Sequence, residues 1–132
     1  MKKSGILHPE LIKLIAETGH TDKVVVTDAG LPLPENVGTK VDFALKEGQL
    51  SFLEVLDTVL SELSVEAIIL AEEIKAVSPD MHQEILERFS DINVVYVPHT
   101  EFKQQTSSAR GLVRSGEFTP YANVILVGGV VY

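Results

Sequence analysis

The chain has 132 residues, 45% of them apolar, and a formal net charge of −8. That is enough apolar material for one packed domain over residues 1–132, and too much for a disordered chain. The acidic balance lacks the basic stripe that a nucleic-acid backbone or an anionic membrane demands. The absence of cysteine excludes disulfides, thiolate metal sites and cysteine nucleophiles.

The opening "MKKSGILHPELIKLIAE" carries glutamates and no long apolar core, so it does not read as a signal peptide. Residues 8–20 predict a helix. Leu7, Leu11, Leu14 and Ile15 recur at helical spacing, Pro9 suits the first turn, and Gly19 suits the position just past the end. "KVVVTDAG" (23–30) is a short β-branched run, the mark of a buried strand. Residues 31–40 hold prolines and glycine and predict a loop, and 41–45 alternate like a short strand.

Ser51 and Glu54 form a capping-box pair at the head of a helix over 51–63, whose apolar face is Phe52, Leu53, Leu56, Val59, Leu60 and Leu63. A buried strand opens at 65. Ser78 and Pro79 then start a helix over 78–89, followed by a strand at 92–97 and a short helix at 100–107. Strands at 109–116 and 123–132 close the chain. The apolar end "VILVGGVVY" is too short to span a bilayer as a helix. It reads as a central strand, with Val130, Val131 and Tyr132 as a second reading for a subunit contact. These features together predict a cytoplasmic protein.

Strands alternating with helices imply an α/β fold, a mostly parallel central sheet flanked by helices. The short link between the last two strands predicts that they pair as an antiparallel hairpin. Ligands of such sheets bind beyond the carboxyl ends of the strands. Asp28, His99 and the Glu72–Glu73 pair follow predicted strands there, and Tyr121 and Asn123 lie in the turn after 109–115. Each also has an ordinary structural reading. Asp28 could close an Asx turn, His99 could cap the next helix, Tyr121 could pack on the core, and Asn123 could close its turn. Glu72 and Glu73 could face solvent or pair with Lys75.

His20 stands beyond the first helix, where terminal carbonyls favour a positive charge, and Asp22 would add to this if close. A protonated imidazole suits a general acid, although a histidine that only completes the helix end would look the same. Lys103 lies four residues past His99, on the same helix face. No Gly-rich phosphate loop, dinucleotide fingerprint, metal-ligand spacing or serine elbow occurs. The remaining set of histidines, carboxylates, lysine, tyrosine and asparagine can hydrogen-bond a small polyol and move protons.

Three separated blocks, "GHTDKVVVTDAGLPLP", "PHTEFK" and "RSGEFTPYANVIL", resemble the D-ribose pyranase family, which is related to the fucose mutarotases. The likeness runs over essentially the whole chain and is to the ribose branch. It implies a cofactor-free isomerase that interconverts β-pyranose and β-furanose ribose, feeding ribokinase. It also implies a ring-shaped oligomer, a decamer of two stacked pentamers. By motif, His20 corresponds to the family's proton donor. Asp28, His99 and the run Tyr121, Ala122 and Asn123 correspond to sugar-binding positions, with Lys103 a further candidate. Ser4, where relatives carry a larger polar residue, and "VPH", which replaces a more polar neighbour, touch none of these. Two other functions remain open: a mutarotase for fucose or another sugar, and a non-catalytic sugar-binding subunit of a transporter.

His20 precedes the first strand and Asp28 follows it. A strand of about five residues spans ~16 Å at ~3.3 Å per residue. Either the site is shared between neighbouring subunits, or a strand end loops back.

Overall fold

The computed structural model describes residues 1–132. Its strands are β1 (Lys23–Thr27), β2 (Thr39–Asp42), β3 (Val65–Ala71), β4 (Asn93–Val97), β5 (Gly111–Arg114) and β6 (Val124–Gly128). They form one six-stranded sheet in the order β2-β5-β1-β6-β3-β4. Its helices are α1 (Pro9–Glu17), α2 (Phe52–Leu60), α3 (Ile74–Val77), α4 (Pro79–Glu87) and α5 (His99–Thr106).

The strands are buried because both faces of the sheet are covered. Val24, Val26, Ile68, Leu70, Val124 and Leu126 point to one face, where Leu11 and Leu14 of α1, Phe52 and Leu56 of α2 and Ile85 of α4 pack on them. Val25, Ile69, Ala71, Leu112 and Ile125 point to the other, against Phe102 of α5 and Leu31 and Val37 of the loop after β1. This alternation explains why β1 reads as an unbroken apolar run rather than as a half-polar strand. Ser51 and Glu54 form the expected capping box at α2, each accepting from the other's backbone N–H.

The last strand is antiparallel, as expected, but the hairpin is not formed. β6 pairs antiparallel with β1 and β3, while β5 pairs in parallel with β1 and β2. β1 therefore lies between them. The physical reason is the segment 115–123, which wraps the end of β1 instead of turning back on β5. Ser115 donates N–H (3.0 Å) and Oγ–H (2.6 Å) to the Thr27 carbonyl. The Ala29 N–H donates to Glu117 O (2.8 Å). The Ser78 hydroxyl donates to Pro120 O (2.7 Å), and the Phe52 N–H at the head of α2 donates to the Glu117 carboxylate (3.1 Å).

Element ends also shift. α1 stops at Glu17, leaving His20 outside the helix, and α3 interrupts the stretch after β3. β6 ends at Gly128, so Val130, Val131 and Tyr132 leave the sheet as exposed residues.

Candidate active site

The carboxyl ends of β1, β3, β4 and β5 lie at one edge of the sheet, and antiparallel β6 begins there. Asp28 follows β1, Asn123 precedes β6, and His99 opens α5 after β4. Asp28, His99 and Tyr121, with Gly30, Leu31 and Pro120, line a cleft of about 270 Å³, a space for a small ligand. A neighbouring cleft of about 380 Å³ continues from Asp28 and Gly30 to Arg114, Glu117 and Phe118. The largest cleft, about 780 Å³, lies beyond it between the 117–120 segment and the start of α4.

Asp28 is fixed by four hydrogen bonds. Its carboxylate accepts from the N–H groups of Gly30 (2.9 Å) and Leu31 (2.8 Å) and from Asn123 Nδ2 (3.0 Å), and its own N–H donates to Asn123 Oδ1 (2.9 Å). The Asx turn is therefore real, and one carboxylate serves both the turn and the cleft. Burial pushes the Asp28 carboxyl above its ordinary range, against the opposing pull of Asn123, the two N–H groups and His99. Arg114 steadies the same loop by donating to Ala29 O from Nε (3.0 Å) and Nη2 (2.8 Å).

His99 is held through its backbone. The Glu73 carboxylate accepts the His99 N–H at 2.9 and 3.1 Å, which anchors the start of α5. Its ring meets the Tyr121 ring edge-on, with centroids 5.0 Å apart at 85°. Nδ1 is buried and has no hydrogen-bond partner in the chain. Burial, and then the Lys103 charge, lower the imidazole pKa, outweighing the carboxylates of Glu73 and Asp28. His99 is thus biased toward the neutral form. Lys103 is exposed and does not line the cleft.

Tyr121 adopts a φ of 62°. A bulky residue in the left-handed region is strained by roughly 1–3 kcal/mol. The 115–123 tethers hold it there, and this conformation delivers its ring to His99. Ala122 is fully buried in the core, so only its backbone could reach a ligand. Asn123 is 1% exposed and acts on Asp28 from behind.

His20 is not at this edge. It sits in the turn between α1 and β1, at the opposite end of the sheet, beside the end of β6 and the start of β3. Asp22, expected to support it, instead accepts from the Gly19 N–H (2.8 Å) and Arg110 Nε (2.6 Å), which hold its carboxyl below the usual range. The His20 ring partner is Glu66, with Nε2 3.0 Å from Oε2. Glu66 and Arg114 were not singled out as site groups from the sequence. Their partners lie 46 and 85 residues away, with no local signal to mark them. Of the Glu72–Glu73 pair, Glu72 makes the expected contact with Lys75 (3.1 Å), while Glu73 instead accepts the His99 N–H.

The fold and this edge define an α/β protein with a small polar cleft of hydrogen-bonding side chains, suited to a hydroxyl-bearing ligand. The chain belongs to the RbsD / FucU transport protein family, whose profile matches residues 1–131. A D-ribose pyranase of Geobacillus thermodenitrificans (strain NG80-2) is 52% identical over 130 residues, covering 98% of each chain. The structure of Bacillus subtilis RbsD complexed with D-ribose superposes with a TM-score of 0.95, at 45% identity and full coverage of both chains. A fucose mutarotase of Streptococcus pneumoniae, in complex with L-fucose, has a TM-score of 0.76 at 25% identity, covering 95% of this chain and 94% of its own.

Proposed function

We propose that the protein is a D-ribose pyranase, a sugar ring isomerase that interconverts β-D-ribopyranose and β-D-ribofuranose. The observation that carries this reading is the convergence of Asp28, His99 and Tyr121 on one small cleft, in a chain that matches ribose-bound RbsD over its full length. The same likeness favours ribose over fucose, because the fucose mutarotase is the more distant neighbour.

The chemistry is modest. A proton is given to the ring oxygen, the anomeric hydroxyl gives one up, and the C1–O bond breaks to leave the open aldehyde. Closure through the neighbouring hydroxyl reverses both transfers and leaves a ring of different size. The reaction already runs slowly in water, and a positioned acid or base adds typically ~10²–10⁴-fold. His20 is the proton donor. Asp28, His99 and Tyr121 grip the hydroxyls, with Asn123 holding Asp28 in place and Ala122 contributing backbone. The unpartnered His99 Nδ1 supports this role, since a buried polar atom seeks a partner. Lys103 acts only through its charge on His99.

His20 and Asp28 lie at opposite ends of β1 (Lys23–Thr27), a span of ~16 Å at ~3.3 Å per residue. The working site is therefore shared, with His20 supplied by a neighbouring subunit of a ring, and a decamer of stacked pentamers is the assembly proposed. No helix is long and apolar enough to cross a membrane. A cytoplasmic place, upstream of ribokinase, is proposed with the activity.

NMR saturation transfer between the pyranose and furanose signals of D-ribose tests this directly. The protein should raise the exchange rate well above the spontaneous one, and His20→Ala should abolish the gain while ribose still binds. Binding without any gain from the wild-type protein would leave a sugar-binding subunit instead. Acceleration of L-fucose in preference to ribose would make it a mutarotase.

A further inference from the structure

His20 is presented by a turn with little freedom. Thr21 adopts a φ of 67°. Its N–H donates to Gly128 O (2.9 Å), and the Gly128 N–H donates to Asp22 O (2.8 Å). The Gly19 N–H closes the turn on the Asp22 carboxylate, which Arg110 also holds. The backbone of residue 20 is thus fixed, but an imidazole on a fixed backbone can still rotate about its side-chain bonds.

Glu66 removes that freedom. Its position is unusual. Val65 and Ile68 both pack on the face covered by α1 and α2, although strict alternation would put residues three apart on opposite faces. The ladder with β6 accounts for it: Val65 pairs with Gly128 and Ala67 with Val127, so Glu66 is an extra residue. Such a bulge re-aims a side chain. Here it turns the Glu66 carboxylate to within 3.0 Å of His20 Nε2. The neighbouring Gly129 permits the close approach, since a Cβ there would lie 3.2 Å from the Glu66 nitrogen and 3.3 Å from its Cβ.

We propose that Glu66 is a positioning residue for the reaction, holding the His20 imidazole through Nε2–H so that Nδ1 is the nitrogen that exchanges a proton with the sugar. This rests on His20 being the proton donor. A carboxylate can only accept, so the hydrogen bond places the proton on Nε2. Nδ1 makes no hydrogen bond within the chain. In the transfer, Nδ1–H of the imidazolium gives its proton to the ring oxygen, the neutral ring keeps Nε2–H, and Glu66 stays ionised throughout. The pair is half-exposed, at 52% for His20 and 44% for Glu66, so its contribution is one of orientation rather than of stability.

The test compares wild type, E66Q, E66A and H20A as assembled protein. Ribose exchange is followed against concentration, and His20 ring order is followed by ¹³C relaxation. E66A should lower kcat about tenfold with KM unchanged, and its His20 ring should become mobile. E66Q, whose amide oxygen still accepts, should fall between. Wild-type kcat in E66A, or a lost rate with the ring as ordered as before, would overturn the role of Glu66 while H20A remains inactive. Full exchange in H20A would overturn the His20 assignment itself, and this inference with it.

Discussion

Asp28 and Asn123 exchange two hydrogen bonds where water has little access. The amide is the one side chain of this shape that can donate to the carboxylate and accept from the backbone N–H at once. Asn123→Asp keeps the shape and removes the donor. Two carboxylates then face each other within hydrogen-bond distance, and like charge raises the pKa of the pair above the already elevated Asp28 value. The sign follows. At low pH the pair shares a proton, and that proton reproduces the donor that the amide supplied. As pH rises the proton must leave against the second charge, so the folded, ribose-competent form loses stability. The exchange rate of N123D relative to wild type should therefore fall between about pH 5 and pH 8, with unfolding by urea following the same trend. A ratio that is low but constant with pH would mean that packing, not charge, accounts for the loss. Asn123→Ala, which leaves the Asp28 N–H and carboxylate short of partners, should cost about 1–3 kcal/mol, with a shallower pH slope of the same sign, because the Asp28 carboxyl loses a hydrogen bond that opposed its upward shift but gains no second charge.

At the scale of elements, the end of β6 and the turn at 19–22 are one construction. A Cβ on Gly128 would lie 2.6 Å from Gly19 O, too close for any real contact, and the obstacle is backbone that cannot swing aside. Gly128→Ala should cost about 1–3 kcal/mol and should displace His20 together with its turn. In denaturant titration and ribose exchange, the variant should lose kcat, while ribose affinity at the distant Asp28 cleft stays close to wild type. Equal loss of affinity would show that the two ends of β1 are not independent. This construction also marks where sequence reading stops. The β1 run and the Ser51–Glu54 box were legible because burial and capping are local properties. Asp28, His99 and Tyr121 could be named as candidates because each follows or adjoins a strand end. Their convergence could not be read, since it depends on strand order, and strand order is set by tethers such as Ser115 to Thr27 across 88 residues. The bulge at Glu66 was equally hidden, because one extra residue in a strand leaves no mark in the apolar pattern. The expected hairpin failed for the same reason. Antiparallel direction follows from chain connectivity, but the partner is chosen by long-range packing.

The proposed site residues lie at two different ends of the molecule. One bears His20, with exposed Val130, Val131 and Tyr132 nearby on the chain leaving β6. The other bears the cleft, with exposed Phe118 beside it. A contact that joins one end to the other uses two distinct surfaces, so it is heterologous, the type that forms the proposed ring when the rotation between neighbours closes. The apolar residues left open at both ends are the kind that such a contact covers. The arrangement makes a quantitative claim. In a shared site, a junction works when one chain supplies His20 and its neighbour supplies Asp28. His20→Ala and Asp28→Ala proteins should each be inactive alone. If the two are unfolded, mixed in equal amounts and refolded, about a quarter of the junctions carry both intact residues under random assembly in a heterologous ring. The mixed ring should then recover about a quarter of the wild-type exchange rate, with refolding and ring size checked by sedimentation. If each chain builds its own site, every site in the mixture keeps one defect, and the mixture will exchange ribose no faster than the better of its two parents.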